Sequence, residues 1–138
     1  MLAIFFLADR YLKFVAISAW PNNSKPIIGG LLNFNFIPND KIAFSLPLSG
    51  IWLNASIVVI IGAILLYTIF NFKRLAKIEI FCLAGILLGA LSNLVDRFQY
   101  GYVIDYLDLK WFTVFNLADA LISVSTLILI IYLFKKKS

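Results

Sequence analysis

The sequence has no histidine and one cysteine, Cys82. Without His there is no Ser-His or Cys-His nucleophilic pair and no His-ligated zinc. A lone Cys forms neither an intrachain disulfide nor a thiolate cluster, and its place deep in an apolar run reads as a small buried hydrophobe. Charge is scarce as well: Asp, Glu, Lys and Arg make up 14% of the 138 residues, where soluble domains carry about 25%. Any catalysis must therefore come from carboxylates, amides, hydroxyls or lysine. No metal and no cofactor is expected.

Apolar residues supply 62% of the chain and its mean hydropathy is +0.96. These values predict an all-α integral membrane protein with four spans of ~20 residues. The formal charge of +5 does not indicate a nucleic-acid binder, because the lysines gather at predicted membrane ends and form no basic face. The apolar stretches cover roughly residues 1–19, 51–72, 78–95 and 114–134. The last three stop at Lys73-Arg74, Asp96-Arg97 and Lys135-Lys136-Lys137. Asp9, Arg10 and Lys13 interrupt the first, which also lacks a preceding basic segment, so a cleavable signal peptide does not fit it. Eight residues precede Asp9, ~12 Å of helix; either the first span begins within the membrane or it starts further upstream.

Basic residues orient the spans. Segments 71–77 and 135–138 hold six Lys/Arg in 11 residues, whereas connections 20–50 and 96–113 hold four in 49. The positive-inside rule puts both termini and the short loop in the cytoplasm and both long connections outside. Trp20, Trp52 and Trp111 fall at the outer boundary, as an interfacial belt would. In the first outer connection, Leu32-Asn33-Phe34-Asn35-Phe36 alternates apolar and polar. Pro38-Asn39-Asp40 then supplies turn chemistry before Ile42-Ala43-Phe44-Ser45-Leu46. A small β-ribbon on the outer membrane surface is expected. No repeat or linker is visible, so residues 1–138 read as a single membrane domain.

Four of seven acidic residues, Asp96, Asp105, Asp108 and Asp119, fall within 96–119. An ionisable side chain inside a membrane costs from ~2.5 kcal/mol upward and is a functional candidate by default. Asn93 lies 16 residues after Lys77, and Asp119 lies 16 before Lys135. At ~1.5 Å per residue both sit ~24 Å from the cytoplasmic boundary, so two helices deliver polar groups to one depth. Asn93, Asp96 and Arg97 stand at i, i+3 and i+4 on one face; Asn116, Asp119 and Ser123 are expected to repeat that arrangement. Asp105, in the short connection, is an expected neighbour of Asp119. Two close carboxylates share one proton, so one takes a proton from water while the other polarises a carbonyl, which suffices for peptide hydrolysis. The bland alternative has these residues pairing with Arg97, Lys110 or Lys13, with Asp96 and Asp108 as solvated loop acids.

The residues also resemble a known family. Gly89-Ala90-Leu91-Ser92-Asn93-Leu94-Val95-Asp96-Arg97, then Val103-Ile104-Asp105-Tyr106-Leu107-Asp108 and Phe115-Asn116-Leu117-Ala118-Asp119, follow the order of motifs in bacterial lipoprotein signal peptidases. Asp9 and Lys13 match an Asp-x-x-x-Lys in the first span, and Asn39 through Phe44-Ser45 is similar to the outer-loop motif. The resemblance covers nearly the whole chain. It implies a membrane aspartic protease of four spans with a β-cradle on the outer leaflet. Such an enzyme removes the signal peptide of a diacylglyceryl-modified prolipoprotein, cutting before the lipidated Cys. It further implies a dyad of Asp105 and Asp119, with Asn93, Arg97 and Asn116 positioning substrate and dyad. Asp96 would brace Arg97, Asn39 would act from the ribbon, and Asp9 and Lys13 would form an ion pair. Membrane lipids and the prolipoprotein are the implied partners, and a monomer is expected.

The chain departs from the family pattern at Lys41, at Leu88 and Ser92 in place of glycines, and at Thr113-Val114 where Pro is usual. Looser packing is expected at Ser92. Two rivals remain at this point: a small proton-coupled transporter or channel subunit with Asp9, Lys13 and Asp119 as a relay, and an inactive membrane scaffold. The transporter predicts polar groups spread through the membrane depth, whereas here they crowd the outer third.

Overall fold

The computed structural model describes residues 2–19, 24–40 and 50–137. In chain order the elements are α1 (Leu2–Ala19), β1 (Lys25–Ile28), β2 (Leu32–Asn39), α2 (Ile51–Asn71), α3 (Lys77–Tyr100), β3 (Val103–Leu109), β4 (Val114–Phe115) and α4 (Leu117–Lys137). The fold is mostly helical, with a small antiparallel sheet in the order β1-β2-β3-β4.

Among the described residues, three helices are long and apolar enough to cross a membrane: Ile51–Asn71, Lys77–Tyr100 and Leu117–Lys136. Sequence predicted four. The helix that departs is α1, with 18 residues and Asp9, Arg10 and Lys13 in its middle. It inverts the soluble pattern. Ile4, Leu7, Tyr11 and Phe14 are exposed, while Asp9, Lys13 and Ala16 form the buried stripe at i, i+4 and i+7. Apolar residues on the outside suit a lipid solvent, and charges turned inward need protein partners.

Two helix boundaries differ from expectation. Asp96 and Arg97 do not end the third helix, which runs on to Tyr100; both are buried against other elements, so their charge does not pull the chain into water. Gly101 ends it with φ of +83° and its N–H on the Arg97 carbonyl, a left-handed stop that favours glycine. The chain then turns into β3. The fourth helix starts at Leu117, because Val114 and Phe115 pair with Asp108 and Leu107 of β3.

The expected ribbon is present in a different pairing. Leu32–Phe36 is a strand, but it pairs with Lys25–Ile28 on one side and with β3 on the other. Pro38 and Asn39 continue the strand where a turn was predicted. The expected second strand around Ile42–Leu46 lies outside the described residues, as does Trp20. Ala16 of α1 packs with Phe34, Ile104 and Tyr106 of the sheet, so helix and sheet share one apolar core.

Close approach of α3 and α4 depends on two glycines. A Cβ at Gly89 would lie 2.7 Å from the Ala118 carbonyl oxygen, and one at Gly85 would lie 2.3 Å from Ser125 Oγ. Small residues four apart let membrane helices touch along their backbones. At the far end Glu79 accepts from the Ala76 N–H at 2.6 Å and pairs with Lys136 at 3.2 Å, joining the start of α3 to the end of α4. Cys82 is fully buried, as its apolar context predicts.

Backbone cannot yield to a new methyl as a side chain can. Gly89→Val should therefore lower stability by about 1–3 kcal/mol through overpacking. Gly62→Ala, where nothing lies within 4 Å, should be neutral or slightly stabilising. Thermal unfolding of both variants in detergent checks the contrast.

Candidate active site

The buried charges of α1 set the geometry. Lys13 Nζ reaches Asp9 Oδ2 at 3.0 Å, Asp96 Oδ2 at 2.7 Å and Asn93 Oδ1 at 2.8 Å. An ammonium has three hydrogens to donate, and here all three have acceptors. Asp96 also pairs with Arg10 and accepts from the Ile104 N–H at 3.3 Å. Arg10 in turn donates to the Ser92 carbonyl. Both Asp9 and Lys13 are 1% exposed, so pairing on this scale is what makes their burial tolerable.

The start of α4 is built from three directions. A helix leaves its first N–H groups without internal partners. Here Leu117 N–H donates to the Tyr106 hydroxyl at 3.0 Å, Ala118 N–H to Asp9 Oδ1 at 3.1 Å, and Asp119 N–H to Asn116 Oδ1 at 2.8 Å. Asn116 N–H returns a bond to Asp119 Oδ2 at 3.3 Å. Asn116 is thus the N-cap and Asp119 its capping-box partner. This corrects the expectation that Asn116, Asp119 and Ser123 share a helical face: Asn116 precedes the helix, and Ser123 is exposed.

Amides carry the network on to the second carboxylate. Asn93 Nδ2 donates to Asp119 Oδ1 at 2.7 Å, while its Oδ1 accepts from Lys13 and from Asn116 at 3.1 Å. Asn116 Nδ2 also donates to Asp105 Oδ1 at 2.8 Å. Asn116 therefore bonds both Asp105 and Asp119. From β2, Asn39 donates to Asp105 Oδ2 at 2.9 Å.

A bulge in β2 makes that last contact possible. Phe34 faces Leu107 but Ile37 faces Asp105, so Asn35 and Phe36 together oppose Tyr106. Side chains alternate faces along a strand, and the extra residue changes the phase. Ile37, and hence Asn39 two residues on, shares the face of Asp105. Without the bulge Asn39 would point to the opposite face.

Asp105 is 2% exposed. Its carboxyl is pushed up to about 7, first by burial and then by the charge of Asp119; the bonds from Asn39 and Asn116 and the charge of Lys13 oppose this. Arg97 is buried at the end of α3, within the field of Asp105, Asp119, Asp40 and Asp96. A cleft of ≈ 290 Å³ opens beside Asp105, lined by Ile37, Pro38, Asn39, Asp40, Thr113 and Val114. A larger open hollow of ≈ 710 Å³ lies by Phe70, Lys73 and Arg74 at the end of α2, but no carboxylate lines it. Among the described residues no group of three or more His, Cys, Asp or Glu could hold a metal ion.

The sequence-predicted residues Asp9, Lys13, Asn39, Asn93, Asp96, Asp105, Asn116 and Asp119 are joined by hydrogen bonds or ion pairs, and Arg97 stands beside them. Asp108 is held by Asn35 Nδ2 at 3.1 Å instead of standing free. Ser92 is fully buried, with its hydroxyl on Asp9 Oδ2 at 2.6 Å, so the expectation of looser packing there is corrected. Arg10, Ser92 and Tyr106 were not anticipated as members. Tyr106 left one trace: a tyrosine in a buried strand needs a partner for its hydroxyl.

Residues 1–135 match the family model described as signal peptidase (SPase) II. A lipoprotein signal peptidase of Fusobacterium nucleatum is 33% identical over 132 residues, 93% of this chain and 80% of that protein. One from Syntrophomonas wolfei is 38% identical over 128 residues, 91% of this chain and 84% of its own length. A bacterial membrane enzyme solved by the in meso method at 2.3 Å superposes with a TM-score of 0.86 at 25% identity, covering 99% of this chain and 87% of that one.

Removing one member of a buried ion cluster strands the others. Lys13→Met should cost about 3–5 kcal/mol, whereas Lys136→Met, which removes a half-exposed ammonium and leaves Glu79 its bond from the Ala76 N–H, should cost no more than about 1 kcal/mol. Chemical or thermal unfolding in detergent separates the two.

Proposed function

The chain belongs to the signal peptidase II family of aspartic proteases, which process prolipoproteins, and we propose that Asp105 and Asp119 are its catalytic pair. The observation that carries this is the convergence of a strand carboxylate and a helix carboxylate on one residue, Asn116, whose side-chain amide donates to Asp105 and whose backbone N–H donates to Asp119. With one proton between them, the ionised member takes a proton from a water while the protonated one polarises the scissile carbonyl. A gem-diol forms, and its collapse delivers a proton to the leaving amine. Asn93 and Asn116 hold the carboxylates. Arg97 and Asn39 orient the extended peptide in the cleft beside Asp105. Lys13, Asp9 and Asp96 anchor the amides from behind.

The substrate is a prolipoprotein whose Cys carries diacylglycerol, cut just before that Cys. The apolar outer surfaces of the helices suit a signal helix and a lipid approaching from the membrane. Residues 1–138 act as one domain and as a monomer, with α1 the fourth span. The excess of Lys and Arg in 71–77 and 135–138 supports cytoplasmic termini, with the site at the outer face of the cell membrane. The transporter and scaffold readings are not favoured: polar groups gather at one level, and the family is enzymatic.

A gel-shift assay with diacylglyceryl-modified prolipoprotein tests the pair. Asp105→Asn and Asp119→Asn should each lose turnover by roughly 10²–10⁴-fold or more while keeping the fold. An active Asp119→Asn enzyme would sink the assignment.

The proton count also gives a pH dependence. Asp105 is protonated below about 7 and ionised above it, so activity should fall as pH rises through that value and the pair loses its shared proton. Asn39 lowers the Asp105 carboxyl by donating to it. In Asn39→Ala the alkaline limb should therefore move to higher pH, which pH–rate profiles would read directly.

A further inference from the structure

Asp105 and Asp119 sit on different elements, β3 and α4, so something must fix how far apart those elements stand. The side chain next to Asp105 turns to the other face of the strand. That side chain is Tyr106, fully buried against Phe34, with ring centroids 5.4 Å apart. Its hydroxyl accepts from the Leu117 N–H at 3.0 Å, at the first position of α4, and donates to Asp9 Oδ1 at 2.9 Å. Asp9 also accepts from Ala118 N–H, one residue further along α4. Both uses of the hydroxyl are directional. Burial, reinforced by the Asp9 charge, holds it above the ordinary tyrosine range, so it remains a donor.

We propose that Tyr106 is a positioning residue: its hydroxyl ties the strand of Asp105 to the first turn of the Asp119 helix and so sets the spacing of the two carboxylates. The inference rests on the reading of Asp105 and Asp119 as the pair. Tyr106 touches neither water nor peptide in this scheme; it acts through the backbone of Leu117. Losing the tie lets β3 and α4 drift apart. An error of about 1 Å in a catalytic constellation costs on the order of 100-fold. Carboxylates further apart also repel less, so the pair gives up its shared proton at lower pH. The charged and titratable groups around the pair are Asp9 and Lys13 from α1, Asp96 and Arg97 from α3, Tyr106 itself from β3, and Asp40 beyond β2.

The test uses the full chain in detergent with diacylglyceryl-modified prolipoprotein, measuring kcat, KM and the pH profile alongside thermal unfolding. Tyr106→Phe should lower kcat by roughly 10–100-fold, leave KM within about twofold, and move the alkaline limb to lower pH. Leu117→Pro removes the same hydrogen bond from the other side, at the first helical position, where proline is well tolerated. It should reproduce both effects, and Leu117→Ala, which keeps the N–H, should not move the limb. Acting through one bond, Tyr106→Phe and Leu117→Pro combined should be no worse than the poorer single variant.

An unmoved pH limb with only a lower active fraction would reduce Tyr106 to a structural role and overturn the proposal. Additive losses in the double variant would overturn it as well. Failure here differs from failure of the pair: a wild-type-like Tyr106→Phe beside dead Asp variants sinks only the spacing role, whereas active Asp variants sink the pair itself.

Discussion

An ammonium group withdrawn from water must have its hydration shell replaced, and Lys13 does this with Asp9, Asp96 and Asn93. Those acceptors belong to α1 and α3, so saturating one charge docks the first helix on the third. Asp96 also receives the Ile104 N–H of β3, and Asp9 receives the Ala118 N–H of α4. Helices and sheet are thus referenced to one cation. In lipid, where apolar surface gains nothing by leaving one hydrocarbon for another, a polar knot of this kind can define a fold that packing alone would leave loose.

The same cation orders the amides beyond it. Because Asn93 Oδ1 faces Lys13, its Nδ2 must face Asp119. Asn116 is directed likewise: its oxygen caps α4 and its nitrogen meets Asp105. An amide has one donor end and one acceptor end, so fixing the first in the chain fixes those after it. Both carboxylates consequently receive hydrogen bonds from nitrogen donors while burial raises the proton affinity of Asp105. The two influences oppose each other, as the proposed role of alternating proton donor and acceptor near neutrality requires.

Much of this is legible in the amino-acid sequence. Asp9 and Lys13 at i, i+4, and Asn93, Asp96 and Arg97 at i, i+3 and i+4, are local patterns, and helical periodicity carries them faithfully. Equal depth of Asn93 and Asp119 followed from counting residues, and the two are bonded. What periodicity could not reach was pairing between distant segments. Nothing near Leu32–Phe36 says that its neighbour is Val103–Leu109, nor that Arg10 meets Asp96. The two helix boundaries differ for separate reasons: the charges of Asp96 and Arg97, neutralised inside the protein, do not end α3, and strand pairing of Val114 and Phe115 delays the start of α4. At Ser92, where a hydroxyl in place of glycine predicts looser packing, the side chain is instead a buried donor to Asp9, a partner that local pattern does not show.

The bulge opposite Tyr106 has an evolutionary consequence. Because two residues of β2 face one of β3 there, the chain between Phe34 and Asn39 is held to a parity. Loss or gain of a single residue in that stretch would invert every side chain beyond it, whereas loss or gain of two would preserve their faces. Length variation in this strand should therefore come in even steps, and a drift in sequence at Asn35 or Phe36 is far easier to accommodate than a change in their number.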